Sequence, residues 1–476
     1  MAFMRYQTNL TVPIAVARDA PLALHDQIAE QVGEAVERGL LVHGCQLPST
    51  RTLATLLGVS RGVTSAAYDL LFARGYLHSQ PGSGTYVHRP GRARCADRAP
   101  AVTTLDLRPG QPAAEAFPLS AWRAAWRRAS FRRPPTGLPA LGHRELRRAV
   151  AEHLVRTRGL PVDEGAVVIT AGVAHGLRVV LDALALDGAS VALEEPAPPP
   201  VHRCVSAGGR APVALPVDAE GARLDGLPPG CRAAVVRPDA SVPLGRVLSA
   251  RRRHELAGWA ARTGGHVIEL ACDAVHRPAA GGLPRLSVLA PAASVLIGGF
   301  CDLLTPGLKL GYAVVPAGLA AAVGQRIAER GEQPSYVAQL AVASLLADGT
   351  VGRLMHRLER MYAAKRRLLW TASGRLDGVR IAGRDAVDTA VLHLPDGADA
   401  AAVADALAER GVRVGTLAEY HFSPRPAPAA LVVGYGHLTD EELGRAWARL
   451  HEVLAPLRPQ MAGAVALSAA GSRTEP

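Results

Sequence analysis

The rarest reactive side chains in this chain of 476 residues are the lysine amines. Only Lys309 and Lys365 carry one, so any chemistry that needs an imine to lysine has two candidate residues. Lys309 lies in GGFCDLLTPGLKLGYAVVP (residues 298–316), which predicts the end of a buried strand, a turn and a second strand. Asp302 lies between the two predicted strands, and a carboxylate cannot form an imine.

Cysteine and histidine are the residues to test for a metal site or a disulfide. The six cysteines are far apart and form no CxxC pair, which favours free thiols over a zinc site or a disulfide framework. No standard metal-binding spacing occurs, so we expect packed or surface side chains for His175, His266, Cys272, His276 and Cys301. No metal is predicted.

The chain is strongly basic, with a net charge of +11 and a pI near 9.8. This charge suits a polyanionic partner, and nucleic acid is the first candidate. No apolar run approaches the ~20 residues that span a bilayer, and the start MAFMRYQTNLTVP lacks a signal-peptide pattern. We therefore expect a cytoplasmic protein with no membrane partner.

Residues 1–88 predict three helices and a hairpin. Apolar residues recur on one helical face from 22 to 38, and two further helices are capped by Ser49 or Thr50 and by Ser60. The tight GVS turn between these two helices is typical of a helix-turn-helix. The segment YLHSQPGSGTYVH alternates around PGSG and predicts a hairpin, which completes a winged helix-turn-helix domain of the α+β class.

The rest of the chain predicts a linker and two further domains. Residues 89–104 are rich in Arg, Pro and Ala without an apolar period, which favours an exposed linker. From 105 to 368, apolar runs alternate with helical stretches, so we expect an α/β domain with a mainly parallel sheet. Residues 369–457 predict a small α+β subdomain, and the tail 458–476 is predicted to be disordered.

The winged-helix segment resembles the GntR family of bacterial transcription regulators. The family pattern LPS.R.LA..LGVSR.TV..AY..L...G is met here by LPSTRTLATLLGVSRGVTSAAYDLLFARG, and SQPGSGTYV matches the family's wing. Docking of such a helix in a DNA groove brings its N-terminal residues to the bases. The DNA-binding positions implied are Ser49, Arg51, Ser60, Arg61, Gly62 and Val63, with Gly82 and Gly84 in the wing.

These positions have different implied roles. Arg51 and Arg61 match positions that bind DNA in the family, and the two serines can bond phosphates through hydroxyl or backbone N–H groups. The family usually has a polar pair and then Val after the Ser-Arg, whereas this chain has Gly62, Val63 and Thr64. Fewer polar groups then face the bases, so we expect altered or reduced specificity.

A second arginine group lies near the start of the α/β region. We expect it on a solvated or subunit-facing helix surface rather than on DNA, and it comprises Arg123, Arg127, Arg128, Arg132 and Arg133.

The domain order resembles the MocR subfamily of these regulators, whose second half is similar to a fold-type-I aminotransferase that binds pyridoxal phosphate. Three segments resemble sequences of this subfamily: RGLPVDEGAVVITAG, TPGLKLGYAVVP and LVVGYGHLTDEEL. The resemblance implies a head-to-tail homodimer that presents two winged helices to two half-sites of a double-stranded DNA operator.

Several cofactor positions of that subfamily differ here. The usual GTFSKTL is GGFCDLL, which places Asp302 where the imine lysine is expected. The usual EDDYDSEF is ELACDAVHRP, so Leu270 replaces the Asp that pairs with the ring nitrogen, and Cys272 replaces the Tyr at the ring oxygen. Pro198 stands where an aromatic residue is usual, and Val432 where an arginine holds the substrate carboxylate. A degenerate cofactor pocket is implied.

Part of the family's phosphate site persists. TAGVAHG can present the N–H groups of Gly172, Val173 and Ala174 at a helix N-terminus, and Lys309 stands where an arginine usually binds phosphate. Neither lysine is favoured as an imine former, because Lys309 falls on the next strand and MYAAKRRLL resembles the family's basic surface helix. Asp302 fits either an inert turn carboxylate or an acid that binds a cationic or hydroxyl-bearing effector.

Together these patterns favour a DNA-binding transcription regulator over an enzyme. The aminotransferase-like domain would serve dimerisation and the sensing of an unknown small-molecule effector, without covalent pyridoxal phosphate. One alternative is an enzyme that retains an aminotransferase-like reaction, which requires an imine. Another is non-covalent binding of pyridoxal phosphate through Lys309 and residues 172–174.

Overall fold

The computed structural model describes residues 12–38, 40–42, 44–80, 84–88, 104–186, 188–271, 282–373 and 378–457. The chain divides into two compact units, Met1–Ala101 and Val102–Pro476. Among the described residues, no helix has the length and apolar character that crossing a bilayer requires. The predicted linker lies almost wholly outside the described residues, and the predicted disordered tail wholly so.

The first unit is the predicted winged helix. Its elements are α1 (Leu24–Glu37), β1 (Gln46–Leu47), α2 (Thr50–Leu57), α3 (Arg61–Ala73), β2 (Leu77–Gln80) and β3 (Gly84–Val87). The strands form an antiparallel sheet in the order β1-β3-β2. Ile28, Leu53, Leu71 and Val87 are at most 1% exposed and join the helices to the hairpin in one apolar core.

The second unit begins with a large subdomain built of alternating helices and strands. The first strand of the unit is β4 (Leu105–Asp106). The elements of the large subdomain are α4 (Leu119–Ser130), α5 (Arg144–Arg158), β5 (Val167–Thr170), α6 (Val173–Ala183), β6 (Ser190–Glu195), α7 (Pro199–Ser206), β7 (Ala211–Asp218), β8 (Gly221–Ala222), β9 (Ala233–Val236), α8 (Ala250–Thr263), β10 (His266–Leu270), α9 (Leu286–Leu289), β11 (Ser294–Gly299), β12 (Gly311–Val314), α10 (Ala317–Arg330), α11 (Tyr336–Ala347) and α12 (Thr350–Ser373).

The central sheet has the order β5-β12-β11-β10-β9-β6-β7-β8. The strands from β11 to β7 are parallel, whereas β12 is antiparallel to both of its neighbours and β8 is antiparallel to β7. Side chains of β5 alternate between two cores: Val167 and Ile169 face α4, α5, α11 and α12, and Val168 faces α6, α7 and α10. Helices on both faces explain why the strands are continuous apolar runs. The predicted α/β architecture is confirmed.

The small subdomain follows α12. Its elements are β13 (Arg380–Ala382), β14 (Thr389–His393), α13 (Ala400–Glu409), β15 (Val412–Arg413), β16 (Gly415–Thr416), β17 (Ala430–Gly434) and α14 (Asp440–Leu454). An antiparallel sheet has the order β13-β14-β17-β16, and β15 pairs in parallel with β4. The segment at the start of the second unit is therefore part of the small subdomain, which the sequence did not predict.

Helix α12 connects the two subdomains without a break, and the predicted boundary between 368 and 369 lies inside it. Its Leu358 and Tyr362 belong to the core under the large sheet, and Leu369 belongs to the core of the small subdomain. The helix is buried on two sides because it packs against both.

The prediction of Lys365 on a surface helix was wrong. Lys365 is 2% exposed, and its Nζ donates to the carbonyl oxygens of Gly436, at 3.0 Å, and of Leu438. Glu115 Oε2 lies 3.7 Å from the same amine. The ammonium group thus ties α12 to the turn after β17, an interaction between residues too distant in sequence to leave a local pattern.

We expect Lys365→Met to lower the free energy of unfolding of the second unit by about 2–4 kcal/mol, since two carbonyl groups would lose their buried donor. Urea denaturation of the full chain, followed by circular dichroism, measures the change. Arg367→Met, at an exposed position two residues along the same helix, is the matched control and should change stability by less than about 0.5 kcal/mol. Equal stabilities for the two variants would contradict the assignment.

Candidate functional site

The helix-turn-helix holds its two arginines at helix N-termini. Ser49 caps α2 by accepting from Thr52 N at 3.1 Å, and Ser60 caps α3 by accepting from Val63 N at 3.4 Å. Both serines are exposed, and so are Arg51 in the first turn of α2 and Arg61 at the start of α3. Within the described residues, neither arginine forms a salt bridge with a carboxylate. Both guanidinium groups therefore remain available to an anionic partner.

Two buried hydroxyls fix the angle between α2 and α3. Thr64, fully buried on α3, donates to Thr50 O at 2.8 Å. Tyr68 OH donates to Pro48 O at 2.7 Å, and burial raises the pKa of this phenol. Helix α3 is thereby positioned by hydrogen bonds as well as by apolar packing.

The glycine and valine positions differ in how tightly they are held. A Cβ atom on Gly62 would have one neighbour within 4 Å, Ser60 Oγ at 3.8 Å, so packing does not require glycine there. Val63 is half-buried. Gly84 has φ +128°, and a Cβ atom would lie 2.6 Å from Gln46 Nε2, so the wing needs glycine at this position. Gly82 lies outside the described residues.

The second arginine group lies on and just after α4. Arg128 Nη2 is 2.7 Å from Ser344 Oγ, and Arg132 Nη2 is 2.8 Å from Glu145 Oε1. These contacts place both side chains on a protein surface between helices of the second unit.

Three of the five positions of the predicted degenerate pocket come together in the second unit. Leu270 ends β10 and is 3% exposed, and Pro198 precedes the first residue of α7. They line one cavity, which also includes Glu194, Arg237 and Val242, and the space open to the centre of a water-sized sphere is about 10 Å³. That volume suits about one water molecule.

Val432 reaches the same region from the small subdomain. It is fully buried in β17 and packs in an apolar cluster with Val391 and Tyr420. Val242, which lines the cavity, packs against this cluster. The fifth position, Cys272, lies outside the described residues.

Asp302 lies in the turn after β11 and is exposed. A second carboxylate, Asp388 of the small subdomain, is affected by its charge: burial, and then the charge of Asp302, raise the pKa of Asp388 to about 7. Asp388 precedes β14 and was not singled out from the sequence, because its nearness to Asp302 depends on how the two subdomains meet.

The predicted anion-binding loop, residues 172–174 (the anion loop), lies beside the turn that contains Asp302. Gly172, with φ +95°, precedes α6, which begins at Val173, and Ala174 is exposed. A Cβ atom on Gly172 would lie 3.7 Å from Cys301 Sγ. Burial raises the pKa of the Cys301 thiol, with a smaller opposing effect from the charge of Lys309. Cys301 is therefore near both the loop and Lys309, which is exposed and has a backbone φ of +48°.

Two adjacent acids at the end of β6 have different environments. Glu194 is 4% exposed, and burial raises its pKa from the ordinary value of 4.5 to about 7, although the backbone N–H of Arg237 donates to it. Glu195 instead accepts hydrogen bonds from the small subdomain, from Phe422 N at 2.8 Å and Ser423 N at 2.7 Å. The sequence pattern SVALEE predicted a buried strand and gave no signal of either role.

We expect Glu194→Gln to stabilise the protein at alkaline pH. The unfolded carboxyl ionises near 4.5 while the folded one retains its proton to about 7, so stability falls between these values and the full penalty is present above them. The amide removes a penalty of about 3 kcal/mol at pH 8 and changes little at pH 4. Urea denaturation at both pH values tests this, with Glu409→Gln, an exposed acid, as control. A variant with unchanged pH dependence would contradict it.

Comparison with known proteins identifies both units. Residues 24–87 match the family model of bacterial regulatory proteins, gntR family, and residues 103–450 match that of aminotransferase class I and II. The "HTH-type pyridoxine biosynthesis transcriptional regulator PdxR" of Corynebacterium glutamicum is 33% identical over 440 residues, which are 91% of this chain and 96% of that protein. The "Probable rhizopine catabolism regulatory protein MocR" of Rhizobium meliloti is 27% identical, with 90% and 93% covered.

Solved structures share the fold of the second unit. An archaeal alanine:glyoxylate aminotransferase superimposes with a TM-score of 0.68 at 20% identity, covering 75% of this chain and 92% of that one. The α-aminoadipate aminotransferase LysN of Thermus thermophilus gives 0.67 at 23% identity, with 75% and 93% covered.

Proposed function

The chain belongs to the MocR-type regulators of the GntR family, which are DNA-binding transcription regulators with an aminotransferase-like domain, and we propose that this domain works without covalent pyridoxal phosphate. In this proposal it serves dimerisation and effector sensing. The observation that carries it is the Asp302 turn, which offers a carboxylate beside a second carboxylate where the cofactor chemistry needs an amine.

The surroundings of both lysines support this. The amine of Lys365 is buried and donates to Gly436 O and Leu438 O, so it has neither access nor a free lone pair for an aldehyde. Lys309 is exposed and lies past the Asp302 turn, just before β12.

Two apolar side chains at the predicted pocket positions also support the proposal. Leu270 offers no charge to a pyridinium nitrogen, and Val432 offers none to a substrate carboxylate. The space beside Leu270 and Pro198 that is open to the centre of a water-sized sphere is about 10 Å³, which suits about one water molecule. The anion loop is the part that remains compatible, so a phosphate-bearing molecule held without a covalent bond is the second candidate for the ligand.

The carboxylate pair favours a different effector class. The charge of Asp302 disfavours ionisation of Asp388, and a cationic or hydroxyl-bearing ligand would relieve the repulsion that this ionisation creates. An anionic effector at the same place would increase it.

We expect protein incubated with pyridoxal phosphate to form no imine at a lysine. Borohydride reduction followed by peptide mass spectrometry should find no stoichiometric cofactor adduct, because neither amine is placed for one. An adduct at Lys309 that Lys309→Ala abolishes would revive the enzyme alternative. Calorimetry with pyridoxal phosphate and with inorganic phosphate separates non-covalent binding at the anion loop from no binding.

The DNA-binding role is expected to depend on Arg51 and Arg61. Replacing either arginine by Ala should weaken binding to DNA from the promoter of the protein's own gene about tenfold. The salt dependence of this binding should also fall, because a phosphate or base contact is lost. Arg123→Ala, an exposed arginine of the second unit, should have no such effect. Fluorescence anisotropy with competitor DNA measures this, and absence of any promoter-specific binding by the native chain would contradict the proposed function.

The dimer is expected to present two winged helices to paired half-sites. Analytical ultracentrifugation of the native chain with and without a two-half-site duplex tests it. A monomer bound to a single half-site would refute this part.

A further inference from the structure

Glu195 connects the two subdomains of the second unit through an array of hydrogen bonds. It is the last residue of β6 and is 6% exposed. One carboxylate oxygen accepts from Phe422 N and Ser423 N at 2.8 and 2.7 Å, and the other accepts from Ser423 Oγ at 2.6 Å. Three donors from one loop of the small subdomain thus converge on one carboxylate of the large subdomain.

The neighbouring residues reinforce this junction. Ala197 N donates to Tyr420 O at 2.9 Å, and the ring of His202, on α7, stacks on that of Phe422 with centroids 5.8 Å apart. Burial opposes ionisation of Glu195, but the hydrogen bonds from Ser423 and Phe422 hold its pKa below the ordinary value. The carboxylate is therefore ionised at neutral pH, and its bonds are charge-assisted.

The junction lies at the wall of the cavity. Pro196, Ala197 and Pro198, the residues that follow Glu195, all line it, and Val242 on the same cavity packs against the small subdomain. With the junction formed, the cavity accepts about one water molecule. In this conformation the cavity is too small for a larger ligand.

We propose that Glu195 and residues 420–423 form a latch that holds the small subdomain closed over the cleft. An effector enters the cleft when the hydrogen bonds of this latch break. The effector role rests on the proposed function. The latch itself is present in the protein without DNA. In terms of populations, the latched state is the dominant one without ligand, and a ligand that binds only the released state shifts the equilibrium toward it.

Glu195→Ala tests the latch by hydrogen exchange and mass spectrometry on the full chain. We expect peptides spanning 419–424 to exchange at least tenfold faster than in the native protein, with little change in the central strands. Fluorescence of 8-anilinonaphthalene-1-sulfonate should rise several-fold as Leu270, Val235 and their apolar neighbours become accessible. Glu195→Gln, which keeps one acceptor oxygen, should give intermediate exchange.

Glu409→Gln is the control, because this exposed acid of the small subdomain should leave the exchange of 419–424 unchanged. Ser423→Ala removes one of three donors and should accelerate exchange in the same direction, which keeps the test decisive if Glu195→Ala does not fold. Unchanged exchange in both variants, or acceleration spread evenly over the second unit, would overturn the latch. Promoter binding of the native chain is measured separately. It tests the proposed function independently of the latch.

Discussion

The parallel alignment of β9, β10 and β11 determines where the cleft lies. The register places Leu270 beside Ile297 and Glu269 beside Val236, so the three strands end along one edge of the sheet. The loops that leave this edge carry Val242 and Asp302, and the crevice outside the carboxyl ends of parallel strands is where such sheets bind ligands. Because the strands are held by packing on both faces, residues in these loops can change without disturbing the sheet. The fold of an aminotransferase and the chemistry of one are thus separable.

The apolar replacements in the cleft are compatible with a stable domain. Leu270 and Val432 are almost fully buried and need no hydrogen-bonding partner, whereas the buried ionic groups expected from the family resemblance would require one. The acids that remain are less favourable, because burial opposes their ionisation: Glu194 and Asp388 both have pKa values raised to about 7. The cleft therefore combines a well-packed apolar floor with carboxyl groups whose ionisation is disfavoured by burial.

Local features of this fold could be predicted from sequence because their signals are local. The serine caps at 49 and 60, the apolar runs of the central strands and the glycine-rich wing each depend on neighbouring residues. The contacts that join the subdomains depend on distant segments and left no pattern: the pairing of β4 with β15, the buried amine of Lys365, the approach of Asp388 to Asp302 and the bonds to Glu195. The replaced cofactor positions could be recognised in the sequence only through the family resemblance. Each of these replacements stays a prediction.

Burial of Lys365 has a consequence for the chemistry of the whole surface. All but two of the 53 lysine and arginine residues are arginine, and their guanidinium groups stay charged throughout the physiological pH range. Acetylation of lysine, which neutralises the basic surfaces of many nucleic-acid-binding proteins, has a single accessible side chain to act on here. Apart from the chain terminus, an amine-reactive dye would label the native protein at Lys309 alone, beside the cleft.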